Sequence, residues 1–395
     1  MTEFVGTNLR LIRLFHDLSL TDLGEQVGVS KQFLSRIETG SETASTSLEA
    51  ALAETLGVLP DFFYCVDANP IVDEQCHFRR QLTTKVALRQ VARARGEMLK
   101  RLVTVLDEHV ELPRYQVGEA DPGTPETIER AAEQFRSIFG LGHGPLSNVT
   151  RIAENAGAVV MKVRGLAAEI DAVSFATKRP VIALNDNGRS ACRERFGIAH
   201  ELGHFALHIG VLTGDRLTET QANRFASALL MPRSTFATEC RLALRGKRLN
   251  WAGLSELKLR WGASKAAILF RGRQLGVFSE DQSRAGYIGL NRHGEALKES
   301  EDHLILNEQP EVIAESLKVM REHFGVPQAA IARKMHVQPK LLQVLLEPPS
   351  AQVTGNIVSW PTAALPKLER SEKASAQIGD AERAEILPWP AASQT

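Results

Sequence analysis

Residues 196–208 read FGIAHELGHFALH and contain the spacing His-x-x-x-His at His200 and His204, with Glu201 directly after the first histidine. On an α-helix, residues four positions apart lie one turn apart, so both imidazoles project from one face at the separation of zinc ligands. Glu201 can reach a water molecule at the metal without binding the metal itself. The stretch therefore predicts a helix that carries a zinc site, with Glu201 as general base.

A third protein ligand is needed if one coordination position is to stay open for water. Glu219 is the preferred candidate, because it lies on the next predicted helix and the intervening loop can reverse the chain. Asn223, one turn after Glu219, can support a ligand imidazole from behind. His208 is the alternative ligand. It lies one turn beyond His204, but an ideal helix rotates it about 80° away from His200.

The sequence around this helix predicts an α+β fold that is mainly helical. Three apolar or alternating segments predict short strands: GAVVMKV at 157–163, DAVSFAT at 171–177 and PVIALN at 180–185. Helical patterns lie on both sides of these strands, at 78–112, 126–139, 146–156, 190–210, 218–231, 250–276 and 308–346. We therefore expect a small β-sheet packed among helices.

The first 65 residues predict short helices with a core of their own, each opened by Ser or Thr or closed by Gly. Within them, LSLTDLGEQVGVSKQFLSRIETG at 18–40 predicts two crossing helices. Gly24 lies where the two helices approach closely, Gly28 ends the first helix, and Ser30 caps the second.

This segment resembles the helix-turn-helix of the Cro/C1 (XRE-like) repressor family, and the resemblance extends over residues 1–65. It implies a five-helix domain whose second motif helix enters the major groove of a double-stranded DNA operator, usually as a homodimer. We expect Gln32 and Lys31 to contact bases, and Ser35 and Arg36 to contact phosphate, beside the cap residue Ser30. The alternative is a helical bundle that binds another protein.

Charge is distributed unevenly, although the net charge of the whole chain is zero. Residues 1–65 hold four basic and nine acidic residues, a net charge of −5, whereas residues 76–101 hold eight basic residues and one acidic residue, a net charge of +7. The basic stretch is predicted either to support DNA binding or to form only a solvated helix face.

Several segments together resemble the ImmA/IrrE family of metallopeptidase-like proteins: PVIALN, RERFGIAHELGH, ETQANRFASALLMP, FRR at 78–80, GPLSN, LKLRWGASKAAILFRGRQLG and NEQP at 307–310. The resemblance implies a zincin-like domain with Zn²⁺ held by His200, His204 and Glu219, and with Glu201 as the catalytic residue. The family also includes fusions to an N-terminal repressor module.

Members of that family are implicated in cutting Cro/C1-type repressors, so the resemblance implies a transcriptional regulator with zinc-dependent endopeptidase activity. Its substrate would be a partner repressor or this chain itself, cut in the Gly- and Pro-rich loop at 113–125. The alternatives are a regulator whose zinc domain is a non-catalytic metal or ligand sensor, and an antitoxin-like interaction protein.

Composition and pattern also predict the domain limits and the compartment. We expect a helix-turn-helix domain at 1–65, a basic helical linker at 66–125, a metallopeptidase domain at 126–276, a C-terminal helical region at 277–347 and a disordered tail at 348–395. Within the C-terminal region, 325–346 is predicted to be a helical pair rather than a second DNA reader. No apolar run of about 18 residues, no signal peptide and four separated cysteines predict a cytoplasmic protein without membrane attachment.

Overall fold

The computed structural model describes residues 3–67, 69–72, 75–78, 85–163, 166, 172–186, 188–346 and 387–388. Helices make up 59% of the structure, in 16 α-helices, and a mixed sheet has four strands. The predicted fold class, α+β and mainly helical, is confirmed.

The N-terminal region folds as a five-helix unit. Its helices are α1 (Gly6–Phe15), α2 (Leu20–Val27), α3 (Lys31–Glu38) and α4 (Thr46–Leu56), and a 3₁₀-helix at Pro60–Tyr64 is the fifth helical segment. A Cβ added to Gly24 would lie 2.6 Å from the carbonyl oxygen of Val29, so α2 and α3 can cross closely only with glycine there. Gly28 ends α2 in the left-handed conformation (φ 73°).

The part of the basic segment that lies on the helix at 86–107 is not a solvated face. Strand β1 (Cys76–Phe78) lies where the long helix was expected to begin, and helix α5 spans Val86–Asp107. One side of α5 is buried among apolar residues, and its arginines and its lysine are all partly buried. The Arg101 guanidinium, for example, lies 4.5 Å from the centre of the Phe62 ring. The helix is therefore a core element, since its basic side chains extend along apolar surface to reach partners.

The sheet contains the three predicted strands and one more. Strands β3 (Val159–Val163), β4 (Ala172–Phe175) and β5 (Val181–Asn185) match the sequence patterns, and the spatial order is β1-β4-β5-β3. Strand β1 pairs antiparallel with β4, β4 pairs antiparallel with β5, and β5 pairs parallel with β3. The sheet edge beside β4 is thus covered by a strand that the sequence did not predict.

The remaining elements surround the sheet. The helices are α6 (Pro125–Ile138), α7 (Val149–Asn155), α8 (Ala191–Leu207), α9 (Arg216–Leu230), α10 (Arg233–Glu239), α11 (Trp251–Trp261), α12 (Lys265–Gln274), α13 (Glu280–Arg292), α14 (Val312–Glu322), α15 (Gln328–Lys334) and α16 (Pro339–Leu346). Short strand pairs are β2 (Val110–Glu111) with β8 (Leu387–Pro388), and β6 (Leu244–Arg245) with β7 (Arg248–Leu249). Apart from 387–388, the tail predicted at 348–395 lies outside the described residues.

The sheet separates two hydrophobic cores. Along β3 and β5, alternate side chains point to opposite faces, so Val181 and Ala183 enter the first core while Ile182 and Leu184 enter the second. The first core also contains residues of α1–α5 and α14–α16, whereas the second contains residues of α6–α9, α11 and α12. The domain boundaries at 65 and 125 stay a prediction, and the first core extends across both positions.

The C-terminal helical pair packs on the N-terminal region. The backbone N–H of Gln338 donates to the carbonyl of Gly57 at 2.9 Å, and Val58 forms a β-bridge with Val337. Leu341 contacts the position of Gly57 as well. Residues 325–346 therefore join the first core, through which they contact the N-terminal helices.

The loop at 113–125 is held against the domain. The backbone N–H of Gln116 donates to Ala156 at 3.0 Å, that of Ala120 donates to Ala206 at 2.8 Å, and Val117 is buried. These contacts hold two points of the loop, while most of its residues are exposed, so cleavage within 113–125 stays a prediction. In the described part of the chain, no helix has the length and apolar character needed to cross a bilayer.

Candidate functional site

Helices α8 and α9 place the metal-binding candidates, because they pack unusually closely. A Cβ added to Gly203 would lie 3.1 Å from the Ala222 carbonyl oxygen and 3.2 Å from the Ala222 Cα. Small residues on both helices therefore let side chains of α8 and α9 come close together. Asp215 caps the start of α9 by accepting a hydrogen bond from the Thr218 backbone N–H at 2.7 Å, which fixes where the first turn of α9 begins.

The structure brings His200, His204 and Glu219 together in one cluster. The Nε2 atoms of the two histidines lie 3.0 Å apart, and the Glu219 carboxylate oxygens lie 3.5 Å from His200 Nε2 and 3.3 Å from His204 Nε2. Both imidazoles are buried. The three candidate ligands from the sequence thus converge on one point, and His208 is not part of this cluster.

Residues behind the cluster orient both imidazoles. His200 Nδ1 lies 3.0 Å from Asn223 Oδ1, so this nitrogen donates and Nε2 keeps its lone pair. His208 Nε2 lies 2.9 Å from Gln221 Oε1, and His208 Nδ1 lies 3.0 Å from His204 Nδ1. If His208 donates to Gln221, it accepts from His204, which again leaves the lone pair on Nε2. His208 therefore supports His204 from behind, as Asn223 supports His200.

The charges and lone pairs of this cluster fit a divalent metal ion such as Zn²⁺. Burial lowers the pKa of His204 to about 3, so its ring is neutral, as a metal ligand must be. Two lone pairs and a carboxylate thus face one another, an arrangement that a cation stabilises. The donor set N, N, O is that of catalytic zinc sites.

Glu201 lies beside the cluster and not in it. Its side chain is buried, and Oε2 accepts a hydrogen bond from the Ser174 hydroxyl on β4 at 2.5 Å. Ser174 was not among the residues singled out from the sequence. The alternation of DAVSFAT could have indicated that Ser174 shares a face with Ala172, opposite Val173 and Phe175, but not that this face meets α8.

His77 on β1 is a second residue at the site that the sequence analysis missed. Its ring stacks on the His204 ring, with the centroids 4.9 Å apart and the planes within 6°. His77 Nδ1 lies 2.8 Å from Thr213 Oγ1, in the loop between α8 and α9. Burial, with the nearby imidazoles, lowers the pKa of His77 well below its usual value, so the ring is neutral. Its position depends on strand pairing, which no local pattern indicated.

The NEQP segment braces the helix that carries the cluster. Glu308 accepts a hydrogen bond from the Thr150 backbone N–H at the start of α7, at 2.7 Å, and pairs with Arg195 on α8. Arg195 also donates to the carbonyl of Leu146, at 2.7 Å. This segment, remote in sequence, thus fixes α8 against its neighbours.

The proposed DNA-contacting residues share an accessible surface of α3. Lys31, Gln32 and Arg36 are exposed, Ser35 is half-buried, and the Ser30 hydroxyl caps the helix by accepting from the Phe33 N–H at 3.2 Å. The opposite side of α3 is buried through Leu34 and Ile37, and a buried ion pair between Arg13 and Glu38 (2.6 Å) ties its end to α1. The helix can therefore present these side chains to a groove.

Comparison with known families gives two matches. Residues 5–61 match a helix-turn-helix domain, and residues 153–272 match the IrrE N-terminal-like domain, a peptidase family. No curated protein matches the chain. The two matches support a regulator that combines a helix-turn-helix DNA-binding domain with a protease-like domain. The two matched segments are thus similar to a helix-turn-helix domain followed by an ImmA/IrrE-type domain.

Proposed function

We propose that this chain is a transcriptional regulator with zinc-dependent endopeptidase activity, and that it cleaves a Cro/C1-type repressor, itself or a partner, to change gene expression. The observation that carries the proposal is the placement of Glu201. It directly follows the candidate ligand His200 on α8, and its buried carboxylate accepts a hydrogen bond from the Ser174 hydroxyl. A site that only stores a metal would have no need of such a base.

His200, His204 and Glu219 would hold the ion, and Asn223 and His208 would keep the two imidazoles in the tautomer that leaves Nε2 to bind. When bound, Zn²⁺ supplies Lewis-acid polarisation of the scissile carbonyl and lowers the pKa of water. Glu201 takes the proton of the attacking water and transfers it to the amine that leaves, so one peptide bond and one water give a carboxyl and an amino terminus.

For DNA, we propose that a homodimer places α3 of each copy in successive major grooves of an operator. Ser30, Lys31, Gln32, Ser35 and Arg36 lie at the start and on the accessible side of that helix. The N-terminal residues of such a helix reach base edges, and residues one turn later reach phosphates. The acidic balance of residues 1–65 makes dimerisation more important for affinity, since a single copy attracts phosphate only weakly.

A second candidate is a regulator whose metal domain senses a metal or ligand and cleaves nothing. The observation in its favour is the His77 ring, which stacks on His204 where both candidate ligand imidazoles are buried. In that case, binding of the ion would change the conformation around α8, and no substrate would be cleaved.

The test that separates the two is Glu201→Gln, which keeps the size and hydrogen bonding of the side chain but cannot accept a proton. We expect this variant to retain zinc and operator binding and to lose cleavage by a factor of about 10²–10⁴. Glu256→Gln, an exposed glutamate on α11, is the matched control and should behave as wild type. Repression before and after stress is measured with immunoblots of the regulator and of neighbouring repressors. Equal derepression by wild type and Glu201→Gln, with no fragment, would leave only the sensor.

A further inference from the structure

Strand β1 runs along the outer edge of β4, directly beside the candidate catalytic residue. His77 is paired with Ser174, and the Ala176 N–H donates to the Gln75 carbonyl at 2.8 Å. Hydrogen-bonded pairs alternate along an antiparallel ladder, so the next such pair is His77 with Ser174. Ser174 is also the donor to Glu201. Any backbone paired with Ser174 is therefore adjacent to Glu201.

The edge of β4 is the element beside the metal centre that could take an extended peptide by strand addition. In this mode, the main chain of the peptide hydrogen-bonds to the free edge, and alternate side chains enter the site. Residues 76–78 already make this pairing, and in the described sheet β1 is the terminal strand. A peptide and β1 cannot occupy the same edge together.

The side chain of His77 completes the obstruction. The ring is fully buried, stacks on His204 and is held through Nδ1 by Thr213. The other ring nitrogen, Nε2, has no hydrogen-bond partner among the described residues. A buried polar nitrogen without a partner is unfavourable in a purely structural residue. The ring lies directly against the imidazole of the candidate metal ligand His204.

We propose that β1 is an internal occupant of the peptide-binding edge of β4, with His77 covering the metal centre, and that an extended peptide binds only after β1 has left. The inference rests on the proposed endopeptidase function. It adds that the substrate binds as an extended strand and that β1 controls access to the site. Because β1 has only three residues and pairs on one side, few hydrogen bonds hold it in place. Its departure would expose Cys76 of the first core and the buried His77 ring, and would leave the pairing of β3 with β5 in place.

The first experiment uses the full chain loaded with Co²⁺ and titrated with acetohydroxamate, a small chelator that needs access to the metal. Binding is followed by visible absorption. If β1 and His77 block the metal in most molecules, His77→Ala should raise the apparent affinity for acetohydroxamate by about tenfold or more, since the metal is accessible in a larger fraction of them. Thr213→Val keeps the shape of the side chain and removes only the hydrogen bond to His77, so it should give a smaller rise. His323→Ala, which removes an exposed imidazole elsewhere, should leave the affinity unchanged.

The second experiment needs neither metal nor activity. Hydrogen exchange measured by mass spectrometry should show faster exchange at 75–78 and at 172–176 in His77→Ala than in wild type. The β3–β5 pairing should keep its protection, which would show that the variant has folded. Thr213→Val serves as the second variant if His77→Ala does not fold.

The outcomes separate the two proposals. Acetohydroxamate affinities of both variants within about twofold of wild type would overturn the role of β1, because opening the edge would then expose nothing. Tighter chelator binding in His77→Ala without cleavage of β-casein by any variant would support the obstruction and count against the endopeptidase. Tighter binding together with faster β-casein cleavage would support both.

Discussion

At the scale of single residues, the tautomers of two histidines determine what the metal centre can do. Asn223 accepts a hydrogen bond from Nδ1 of His200, and His208, which is itself bonded to Gln221, accepts one from Nδ1 of His204. Both Nε2 atoms therefore turn a lone pair toward Glu219. A ligand histidine that is oriented in this way loses less entropy on binding metal and is more basic. His208, which the sequence offered as a rival ligand, thus contributes from a different position.

This arrangement predicts a ranking of zinc affinities. Glu219→Ala removes a charged donor and should cause the largest loss, whereas His208→Ala and Asn223→Ala should each weaken zinc by about 10–100-fold. Competition with a chromophoric chelator measures the affinities, and His323→Ala is the control because its ring is exposed. A greater loss for His208→Ala than for Glu219→Ala would transfer the third ligand to His208.

How far the site could be predicted depended on how local its residues are. His200, Glu201 and His204 lie within one and a half turns of one helix, so their spacing alone indicated their geometry. Glu219 required only that the next helix return alongside. Ser174 and His77 reach the same site through strand register, which depends on pairing between residues far apart in the chain. No periodicity within either segment contains that information.

At the scale of elements, α3 is presented by the packing of its own buried side. Leu34 and Ile37 anchor it in the first core, and the close crossing at Gly24 fixes its angle to α2. The exposed residues Lys31, Gln32 and Arg36 therefore project from a rigid support. Rigid presentation is what lets a few side chains discriminate base pairs.

We expect Gln32 and Arg36 on α3 to contribute differently to DNA binding. With an operator selected from random-sequence DNA, Gln32→Ala should cost about 1–3 kcal/mol of binding free energy and relax specificity at one position. Arg36→Ala should weaken all sequences evenly and reduce the salt dependence of binding by a slope of about 1. Titrations at several salt concentrations measure both effects, and footprinting should show two half-sites about one helical turn apart. A lack of sequence preference in the wild type would assign α3 to protein binding.

The behaviour of α5 shows where charge pattern misled the prediction. The run of basic residues at 76–101 suggested a solvated or DNA-facing helix, yet the other face of α5 carries Met98, Leu99 and Leu102 into the first core. Long basic side chains can remain near the surface while their helix is buried. The net charge of a segment counts only the charged ends of its side chains, whereas the burial of a helix depends on the apolar residues along one of its faces.

At the scale of the whole molecule, one core joins the N-terminal helices to the sheet whose strands β1 and β4 bring His77 and Ser174 to the candidate site. Helix α5 packs on α1 and also on β4, where Gly96 lies against the Phe175 ring. Phe175 is paired with Cys76 of β1 on the same strand that positions Ser174. A change at the edge of the sheet is therefore separated from the N-terminal helices by one helix, α5.

The substitution Gly96→Ala tests this shared core. A Cβ at this position would lie 2.2 Å from the Phe175 ring, so the ring or α5 must move. Overpacking of this kind should lower the free energy of unfolding by about 1–3 kcal/mol. Because the first core contains the N-terminal helices and residues of β4, and β4 also carries Ser174 beside α8, operator binding and zinc binding should be lost in one thermal transition and at the same lowered temperature. Calorimetry measures the transition temperature. DNA binding and zinc binding, measured at each temperature, show which activity is lost in that transition.

Gly197→Ala on α8 is the matched control, since it is also a helical glycine but has no atom within 4 Å of the added Cβ. It should be neutral or stabilise the chain by up to about 1 kcal/mol, because alanine restricts the unfolded chain. If Gly96→Ala instead lowered the temperature for operator binding and left that for zinc binding unchanged, the two regions would unfold independently. The contacts of α5 would then be too weak to couple the DNA-binding helices to the sheet, and a signal at the metal centre would need another route to the operator.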